Sequence, residues 1–358
     1  MDDHRNLLSF FGLGKHPFAP TADPANFYAT REHRDCLFRL WSSIDQRHGI
    51  AVVLGSYGTG KTTLLRKLTA AMLADPARYR TAIIGSPLPS WTSFSLLEAI
   101  AAQFGVQPRE ANFTDYMQAL SEALLAGRDK TTTLIIDDAQ NLNKRGQLEL
   151  LRLLQNIETQ QHKLLNVVCF AQLEWKQVLR AAPGFAQRIN LTHTLEPITS
   201  AESRQFIEFR IAQALKDPAM QPRFTEAAHA AIHRHAAGNP RIIVSTCRNA
   251  LLAAMQTGTR TIDEVLIAST IAKTTVLEME KPLERARPLP VVAVQAAEPL
   301  PVFTFPKEPE SEPTPRPVSL FARAAAQETG RTRQPETRMT RDQRAAELLM
   351  RKQQDRNS

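Results

Sequence analysis

A glycine-rich segment that ends in lysine and threonine stands between an apolar run and a helical stretch. Residues 55–62 read GSYGTGKT and match the pattern G-x-x-x-x-G-K-[ST] in full. In this pattern the glycines let the backbone curl so that successive N–H groups point at a β-phosphate, and the helix N-terminus adds its dipole. The lysine lies against the β- and γ-phosphates, and the next hydroxyl binds Mg²⁺. The segment therefore predicts a site for ATP and Mg²⁺. The predicted cofactor-binding residues are Gly55, Ser56, Tyr57, Gly58, Thr59, Gly60, Lys61, Thr62 and Thr63.

Two adjacent acids, Asp137 and Asp138, follow the apolar run Leu134–Ile136. A strand that ends in an acid delivers the carboxylate to the carboxyl edge of a parallel sheet, where ligands bind. We expect Asp137 to hold Mg²⁺ through water, with Thr62 as the second metal residue. Asp138 then stands where a general base would orient the attacking water. Because aspartate is also a common N-cap, capping of the following helix is the alternative role for Asp138.

Three further polar residues could complete a phosphate site. Gln172 follows the apolar run Leu164–Ala171 and could sense a γ-phosphate, or it could be an ordinary strand-end glutamine. Arg188, in the segment FAQRI, could reach into a neighbouring subunit's site as an arginine finger, or form a surface salt bridge. Arg241 follows Gly-Asn-Pro at a predicted helix start, where a lid arginine could contact ATP of its own subunit. Asp138, Gln172 and Arg188 are thus the predicted catalytic residues, and Arg241 joins the cofactor-binding set.

The elements that must position these residues alternate between strands and helices. Strands are predicted at Ile50–Leu54, Thr81–Ile84, Thr132–Ile136 and Leu164–Phe170, and helices at Thr62–Leu73 and Phe94–Phe104. Fully apolar strands separated by helices indicate a parallel sheet that is covered on both faces by right-handed crossovers. From Ser200 to Ala272 the apolar spacing is helical throughout. The predicted fold is an α/β P-loop domain with a doubly wound parallel sheet, followed by a small helical lid.

The composition changes near residue 277. Residues 281–358 hold 11 of the 23 prolines and carry a net charge of +4, out of +8 for the whole chain. Such a segment cannot bury enough apolar surface to offset its ordering entropy, so we expect a basic disordered tail. Within it, residues 340–352 have a capping-box pattern and partly helical apolar spacing that predict a terminal helix. The predicted domains are 1–195 for the nucleotide-binding domain, 196–276 for the lid and 277–358 for the tail.

The overall composition favours a cytoplasmic protein with no membrane insertion. Three distant cysteines offer neither a disulfide framework nor a zinc knuckle. No run of 18 uncharged apolar residues is present, and the N-terminus does not read as a signal peptide. A net charge of +8 and a pI near 9.6 favour acidic partners such as nucleic acid or anionic lipid.

Several segments together resemble the ExeA/GspA-type AAA+ ATPases over roughly residues 8–275. They are FGL-x-x-x-PF at 11–18, DP at 23–24 with FY at 27–28, HR at 33–34, GSYGTGKTTLLRKL, IIDDAQNL, the QRI segment and GNPRIIVSTCRNALLAA. The resemblance implies a three-layered α/β domain with a helical lid that hydrolyses ATP. This chain departs from the family in DDAQ where DEAQ is usual, in AQLEW where GQPEL is usual, and in lacking a membrane helix after the lid.

Three functional hypotheses follow from these features. The first is an ATP-switched DNA-binding regulator that resembles the TniB, TnsC and MuB types, assembles as a ring or filament on double-stranded DNA and recruits a transposase or another protein through its tail. Lys144, Arg145, Arg152 and Lys163 could line its DNA track, although a solvated helix face is the alternative for such charges. The second is a cytoplasmic ATPase for secretion or type IV pilus assembly, and the third is a scaffold that binds ATP without hydrolysing it.

Overall fold

The computed structural model describes residues 3–19 and 27–274, with the side chains of residues 3–6 excepted. The predicted tail, its terminal helix and the Asp-Pro pair at 23–24 lie outside these residues. The described strands are β1 (Ile50–Gly55), β2 (Tyr79–Ile84), β3 (Thr131–Ile136), β4 (Asn166–Ala171), β5 (Ile189–Leu195), β6 (Arg223–Phe224) and β7 (Thr261–Ile262). The described helices are α1 (Asp3–Phe10), α2 (Arg31–Asp45), α3 (Lys61–Leu73), α4 (Ser93–Gln103), α5 (Phe113–Ala126), α6 (Arg145–Leu154), α7 (Trp175–Ala181), α8 (Pro183–Ala186), α9 (Ser200–Ala214), α10 (Glu226–Ala236), α11 (Pro240–Gln256) and α12 (Glu264–Thr274).

Strands β1 to β5 form one sheet in the order β2-β3-β4-β1-β5, and every pairing is parallel. The order changes direction beside β1, so the loop after β1 opens into a crevice at the carboxyl edge of the sheet. β1, β3 and β4 are buried along their whole length. Apart from Gly55 at the end of β1 and Asn166 at the start of β4, their residues are apolar or β-branched, which fits a sheet that is covered on both faces. The predicted α/β fold with a doubly wound parallel sheet is confirmed.

The two faces of β1 contribute to two separate clusters of buried side chains. Ile50, Val52 and Leu54 pack in a cluster with residues of α4, α5 and α6. Ala51 and Val53 point the other way and pack with residues of α2 and α3. This alternation is the period of two expected of a strand, and it makes β1 the shared centre of both layers. The loop that follows β1 therefore starts from one of the most firmly packed positions in the chain.

Edge strand β5 was not among the predicted strands. Its exposure alternates, with Ile189 and Leu191 half-buried and Asn190 exposed, because it is paired only with β1. An edge strand of this kind lacks the continuous apolar run that identified the central strands. It adds a fifth strand beside β1 without changing the fold class.

Helices α9 to α12 form the lid, which has its own cluster of buried side chains. This cluster also contains Leu7, Phe11, Leu13 and Phe18, and α1 contacts α11. The N-terminal segment, which the sequence assigned with the nucleotide-binding domain, thus packs with the lid helices. The domain boundaries near residues 195 and 276 remain predictions. Within the described ranges, no helix is both long and apolar enough to span a membrane.

Several helices begin at a residue whose side chain accepts a backbone hydrogen bond from the first turn. These N-caps are Thr30, Thr92, Asn112, Thr199, Thr225 and Asn239. Helix α3 begins differently, because its N-cap is Gly60, which has no side chain to satisfy the first N–H groups. Those N–H groups are therefore open to an external acceptor, as in a helix N-terminus that binds an anion.

Candidate nucleotide-binding site

The loop between β1 and α3 curls tightly enough that two of its positions require glycine. Gly58 has φ +85° and Gly60 has φ +97°, in the left-handed region that side chains disfavour. A Cβ on Gly58 would collide with the Asn239 side chain, and one on Gly60 would lie 3.0 Å from Nε2 of His33. The Thr59 hydroxyl donates to the Ser56 carbonyl over 2.9 Å and closes the curl. The predicted phosphate loop therefore has the local shape that its sequence pattern implies.

Lys61 is buried at the base of this curl. Its Nζ donates to the carbonyl oxygens of Gly55 at 2.8 Å and Ser56 at 2.9 Å. Burial lowers the pKa of the Lys61 ammonium below its ordinary value, and the nearby carboxylates of Asp137 and Asp138 oppose that shift. The Lys61 ammonium has three N–H donors, and the two loop carbonyls accept from two of them. The third donor can therefore hydrogen-bond to an anion that binds in the curl.

Asp137 and Thr62 lie together at the carboxyl edge of the sheet. The Thr62 hydroxyl donates to Oδ2 of Asp137 over 3.0 Å, and the backbone N–H of Asp138 donates to Oδ1 of Asp137 over 3.0 Å. Burial raises the pKa of the Asp137 carboxyl, while these two hydrogen bonds act to lower it. Hydroxyl and carboxylate oxygens are the ligands that Mg²⁺ prefers, so this pair fits the predicted metal.

Asp138 lines the pocket in a strained backbone conformation, with φ 47° and ψ 39°. Aspartate tolerates this left-handed region better than most residues. Although Asp138 precedes the 3₁₀ turn Ala139–Asn141, its side chain makes no capping hydrogen bond. Oδ1 of Asp138 instead accepts from Nε2 of Gln140 over 2.9 Å. Asp138 therefore does not cap the following turn, which was the alternative role considered for it.

A pocket of about 450 Å³ lies between the phosphate loop and the lid. It brings together Lys61, Thr62, Asp138, Gln172 and Arg241. These five residues come from the start of α3, the segments just after β3 and β4, and the start of α11. The structure thus places in one pocket most of the side chains that the sequence singled out for phosphate chemistry.

Residues of α2 and the lid that were not predicted as site residues also line this pocket. They include Thr30, His33, Phe206, Arg210 and Arg248. Arg248 stands seven residues after Arg241, so both lie on the same face of α11, with Val244 between them. This i, i+7 spacing of two arginines could have indicated Arg248. By contrast, only the folded chain brings His33 beneath the phosphate loop.

The lid contacts the tip of the phosphate loop directly. Nδ2 of Asn239 donates to the Tyr57 carbonyl over 2.7 Å, and its Oδ1 accepts from the Arg241 backbone N–H over 3.0 Å. The Arg241 guanidinium lies 4.4 Å from the centroid of the Tyr57 ring. Asn239 therefore caps α11 and links it to the loop, and Arg241 is held at the pocket's edge by a cation–π contact.

Arg188 is exposed and does not line the pocket of its own chain. It precedes Ile189, which pairs with Ile50 at the first residue of β1, whereas the phosphate loop begins at Gly55. Five residues of strand separate the two ends, or roughly 16 Å. No acidic group within the described ranges lies at salt-bridge distance from Arg188, so the surface ion-pair alternative is absent there.

Comparison with known proteins agrees with this architecture. The AAA domain family matches residues 44–179. General secretion pathway protein A of Aeromonas hydrophila is 34% identical over 258 residues, which are 71% of this chain and 46% of that protein. The chain thus spans about half the length of this relative.

Two solved structures share the fold. The ADP form of the Aeropyrum pernix ORC2 protein has a TM-score of 0.54 at 18% identity, covering 72% of each chain. Cdc6p from Pyrobaculum aerophilum has a TM-score of 0.54 at 19% identity, covering 72% of this chain and 70% of that one. At these identities the likeness shows the fold alone. The AAA domain match and the 34% identity to general secretion pathway protein A place this chain among the AAA ATPases of the ExeA/GspA type.

Proposed function

We propose that the protein binds Mg-ATP in the pocket between the phosphate loop and the lid, and hydrolyses it. The observation that carries this proposal is the convergence of Lys61, Thr62, Asp137 and Asp138 at the carboxyl edge of β1 and β3. The loop supplies N–H donors and an ammonium for the phosphates, and the two carboxylates supply a metal position and a base. A scaffold that only bound ATP would not need the second carboxylate to face the pocket.

Each residue has a distinct part in the proposed hydrolysis. Lys61 turns from the loop carbonyls to the β- and γ-phosphates. Thr62 and Asp137 would hold Mg²⁺, which would supply positive charge beside the phosphate oxygens. Asp138 accepts a proton as a water oxygen attacks the γ-phosphorus. The bond from that phosphorus to the bridging oxygen breaks, giving ADP and inorganic phosphate. Gln172 and Arg241 would contact the γ-phosphate side of the pocket.

The proposed arginine finger requires a second subunit. Arg188 lies at the amino ends of β1 and β5, and the phosphate loop of the same chain lies at the carboxyl end of β1. Arg188 therefore cannot contact a nucleotide in its own chain without a large movement. In a ring or filament the same residue of one subunit would enter the site of the next. We therefore include self-association in the proposed function.

Two variants test binding and hydrolysis separately. Lys61→Ala should weaken ATP binding by about 10- to 100-fold, because a charge-assisted hydrogen bond to phosphate is worth roughly 1.5–3 kcal/mol. Asp138→Asn should bind ATP as the parent does but hydrolyse it at least about 100-fold more slowly. Titration with a fluorescent ATP analogue and phosphate release measure the two effects. Lys67→Ala, at an exposed position of α3, is the matched control and should behave as the parent.

If Lys61→Ala binds ATP with parental affinity, the phosphate-loop assignment is wrong. If Asp138→Asn turns over at the parental rate, another group is the base. A parent that binds ATP and never releases phosphate would leave the non-hydrolysing scaffold as the better description.

Two clients for the ATPase are proposed on different observations. Identity to general secretion pathway protein A favours a role in secretion or pilus assembly. The net charge of +8 favours a DNA-binding regulator with a transposase or similar partner.

The residues suggested for a DNA track are largely engaged within the chain. Nζ of Lys144 donates to the Ser90 and Trp91 carbonyls, Arg152 pairs with Glu149, and Lys163 pairs with Glu158. Exposed pairs of this kind are weak enough to be exchanged for phosphate contacts, but they reduce the charge that the surface presents. This favours the secretion role slightly over the DNA-binding role.

A DNA titration separates the two clients. A DNA-loaded ATPase should bind duplex DNA only with ATP or a slowly hydrolysed analogue, with affinity that falls steeply as salt rises. Deleting residues 281–358 should leave this binding intact if the tail serves only to recruit a partner. Binding that ignores nucleotide, or shows a flat salt response, would leave the secretion or pilus role.

A further inference from the structure

The side chain of Gln140 bridges two residues of the pocket without lining the pocket itself. Its Nε2 donates to Oδ1 of Asp138 over 2.9 Å, and its Oε1 accepts from the backbone N–H of Gln172 over 3.2 Å. Asp138 is the second residue after β3, and Gln172 directly follows β4, so one amide joins the segments that follow two adjacent strands. Both partners line the nucleotide pocket, whereas Gln140 lies behind them.

The orientation of this amide follows from its partners. A backbone N–H can only donate, so the atom of Gln140 that faces Gln172 must be the oxygen. The NH₂ group then faces the Asp138 carboxylate, which can only accept when ionised. Reversing the amide would set donor against donor and acceptor against acceptor. The contact is thus directional, and it engages one specific oxygen of Asp138.

Gln140 is itself held in place by a well-anchored turn. It is the middle residue of the 3₁₀ turn Ala139–Asn141, and Ala139 and Leu142 are fully buried. The indole N–H of Trp175 donates to the Leu142 carbonyl over 3.1 Å and ties the turn to α7. A rigid support of this kind is what a residue needs in order to fix the direction of a neighbouring side chain.

Asp138 needs such a support because its backbone is in the left-handed region. A residue other than glycine remains there only when its surroundings over-determine the conformation. The hydrogen bond from Gln140 engages Oδ1 of Asp138, so Oδ2 is left to accept a proton from water. The same amide accepts from the backbone N–H of Gln172, so it links the positions of the two pocket residues.

We propose that Gln140 is a positioning residue for hydrolysis, which orients the Asp138 carboxylate and fixes its position relative to Gln172. The inference rests on the proposed ATPase function and adds to it a residue that does not line the pocket. It acts on the chemical step and not on binding, because its two hydrogen bonds go to Asp138 and Gln172, and neither goes to the phosphate loop, Thr62 or Asp137.

The test measures kcat, KM and ATP affinity of the full chain carrying Gln140→Met, which keeps the length of the side chain and removes both hydrogen bonds. We expect kcat to fall about 10- to 100-fold, the range for a misplaced catalytic group, with ATP affinity within about twofold of the parent. Gln140→Glu keeps an acceptor for the Gln172 N–H but sets a carboxylate against Asp138, and should also lower kcat. The matched control is Gln177→Met, at an exposed position of α7.

A double-mutant cycle distinguishes positioning from a general loss of structure. In the Asp138→Asn background, followed by single-turnover hydrolysis, Gln140→Met should reduce the rate much less than in the parent, because the group it aims is already gone. Equal fold-reductions in both backgrounds, or a parental kcat for Gln140→Met, would overturn the inference while the parent's ATPase activity stands. Should Gln140→Met lower the melting temperature and fail to fold, Gln140→Glu decides in the same way. A parent without ATPase activity would instead refute the proposed function itself.

Discussion

At the scale of single residues, His33 shows how one buried group supports the phosphate loop. Oγ1 of Thr30 accepts from the His33 backbone N–H over 3.2 Å and lies 2.8 Å from Nδ1 of its ring. If the Thr30 hydroxyl donates to Nδ1, the proton of the neutral ring is on Nε2, which donates to the Thr59 carbonyl over 3.2 Å. The neutral ring therefore satisfies both of its nitrogens. Burial lowers the pKa of His33, and nearby Glu202 and Glu32 oppose the shift.

This lowered pKa of His33 predicts a pH dependence of stability. Because its folded-state pKa lies below the ordinary 6.5, the unfolded chain takes up the proton first as pH falls. The free energy of unfolding should therefore decrease below about pH 6.5, and the decrease should be smaller in His33→Gln. Urea unfolding at pH 7.5 and 5.5 measures the difference. His235→Gln, at an exposed position of α10, should keep the parental dependence, and a His33→Gln variant that also keeps it would contradict the assignment.

Among the secondary-structure elements, the sequence predicts the central strands of the sheet better than its edge strand β5. The apolar runs of β1 and β3 predict buried central strands, because only residues covered on both faces can be apolar throughout. Edge strand β5 pairs on one side only and has no such run. The phosphate-loop pattern likewise predicts the curl at Gly58 and Gly60, since the positive φ values are local properties.

Contacts between distant elements could not be predicted in the same way. The reach of His33 to Thr59, and of Asn239 to Tyr57, depends on how α2 and the lid are placed against the loop. No local periodicity encodes such placement. The sequence predicted a helix start at Gly-Asn-Pro, but neither the cap that Asn239 forms nor its hydrogen bond to the loop was predicted.

The link between α11 and the phosphate loop can be tested apart from helix capping. Asn239→Ser keeps an oxygen that can cap α11, but it removes the amide donor that reaches the Tyr57 carbonyl. We expect a melting temperature close to the parent's and a several-fold weaker affinity for ATP, because a hydrogen bond of this kind contributes about 1 kcal/mol. Thr225→Ser, a cap exchange on α10 far from the loop, is the control. Unchanged ATP affinity in Asn239→Ser would mean that the lid does not support the loop through this contact.

At the level of the assembled protein, Arg188 does not line the pocket of its own chain, because it lies at the amino ends of the strands and the pocket lies at their carboxyl ends. The pocket already contains Arg210, Arg241 and Arg248 from the lid, so positive charge is present on the lid side. Arg188 is exposed and directly precedes the first residue of β5, at the end of the sheet opposite to the phosphate loop. A head-to-tail assembly would bring that edge of one subunit to the pocket of its neighbour, and it would leave each isolated chain a slow hydrolase.

Mixed assemblies test this arrangement. Arg188→Ala has an intact pocket and no finger, and Asp138→Asn has a finger but no base, so each alone should hydrolyse ATP slowly. In a randomly mixed one-to-one assembly, about one site in four combines an intact pocket with a neighbouring intact finger, so about a quarter of the parental rate should return. Phosphate release by the two variants, alone and together, measures this recovery. Arg180→Ala, at an exposed position of α7, is the control and should hydrolyse as the parent does. A mixture that gives only the average of its two components would show that Arg188 does not act between subunits.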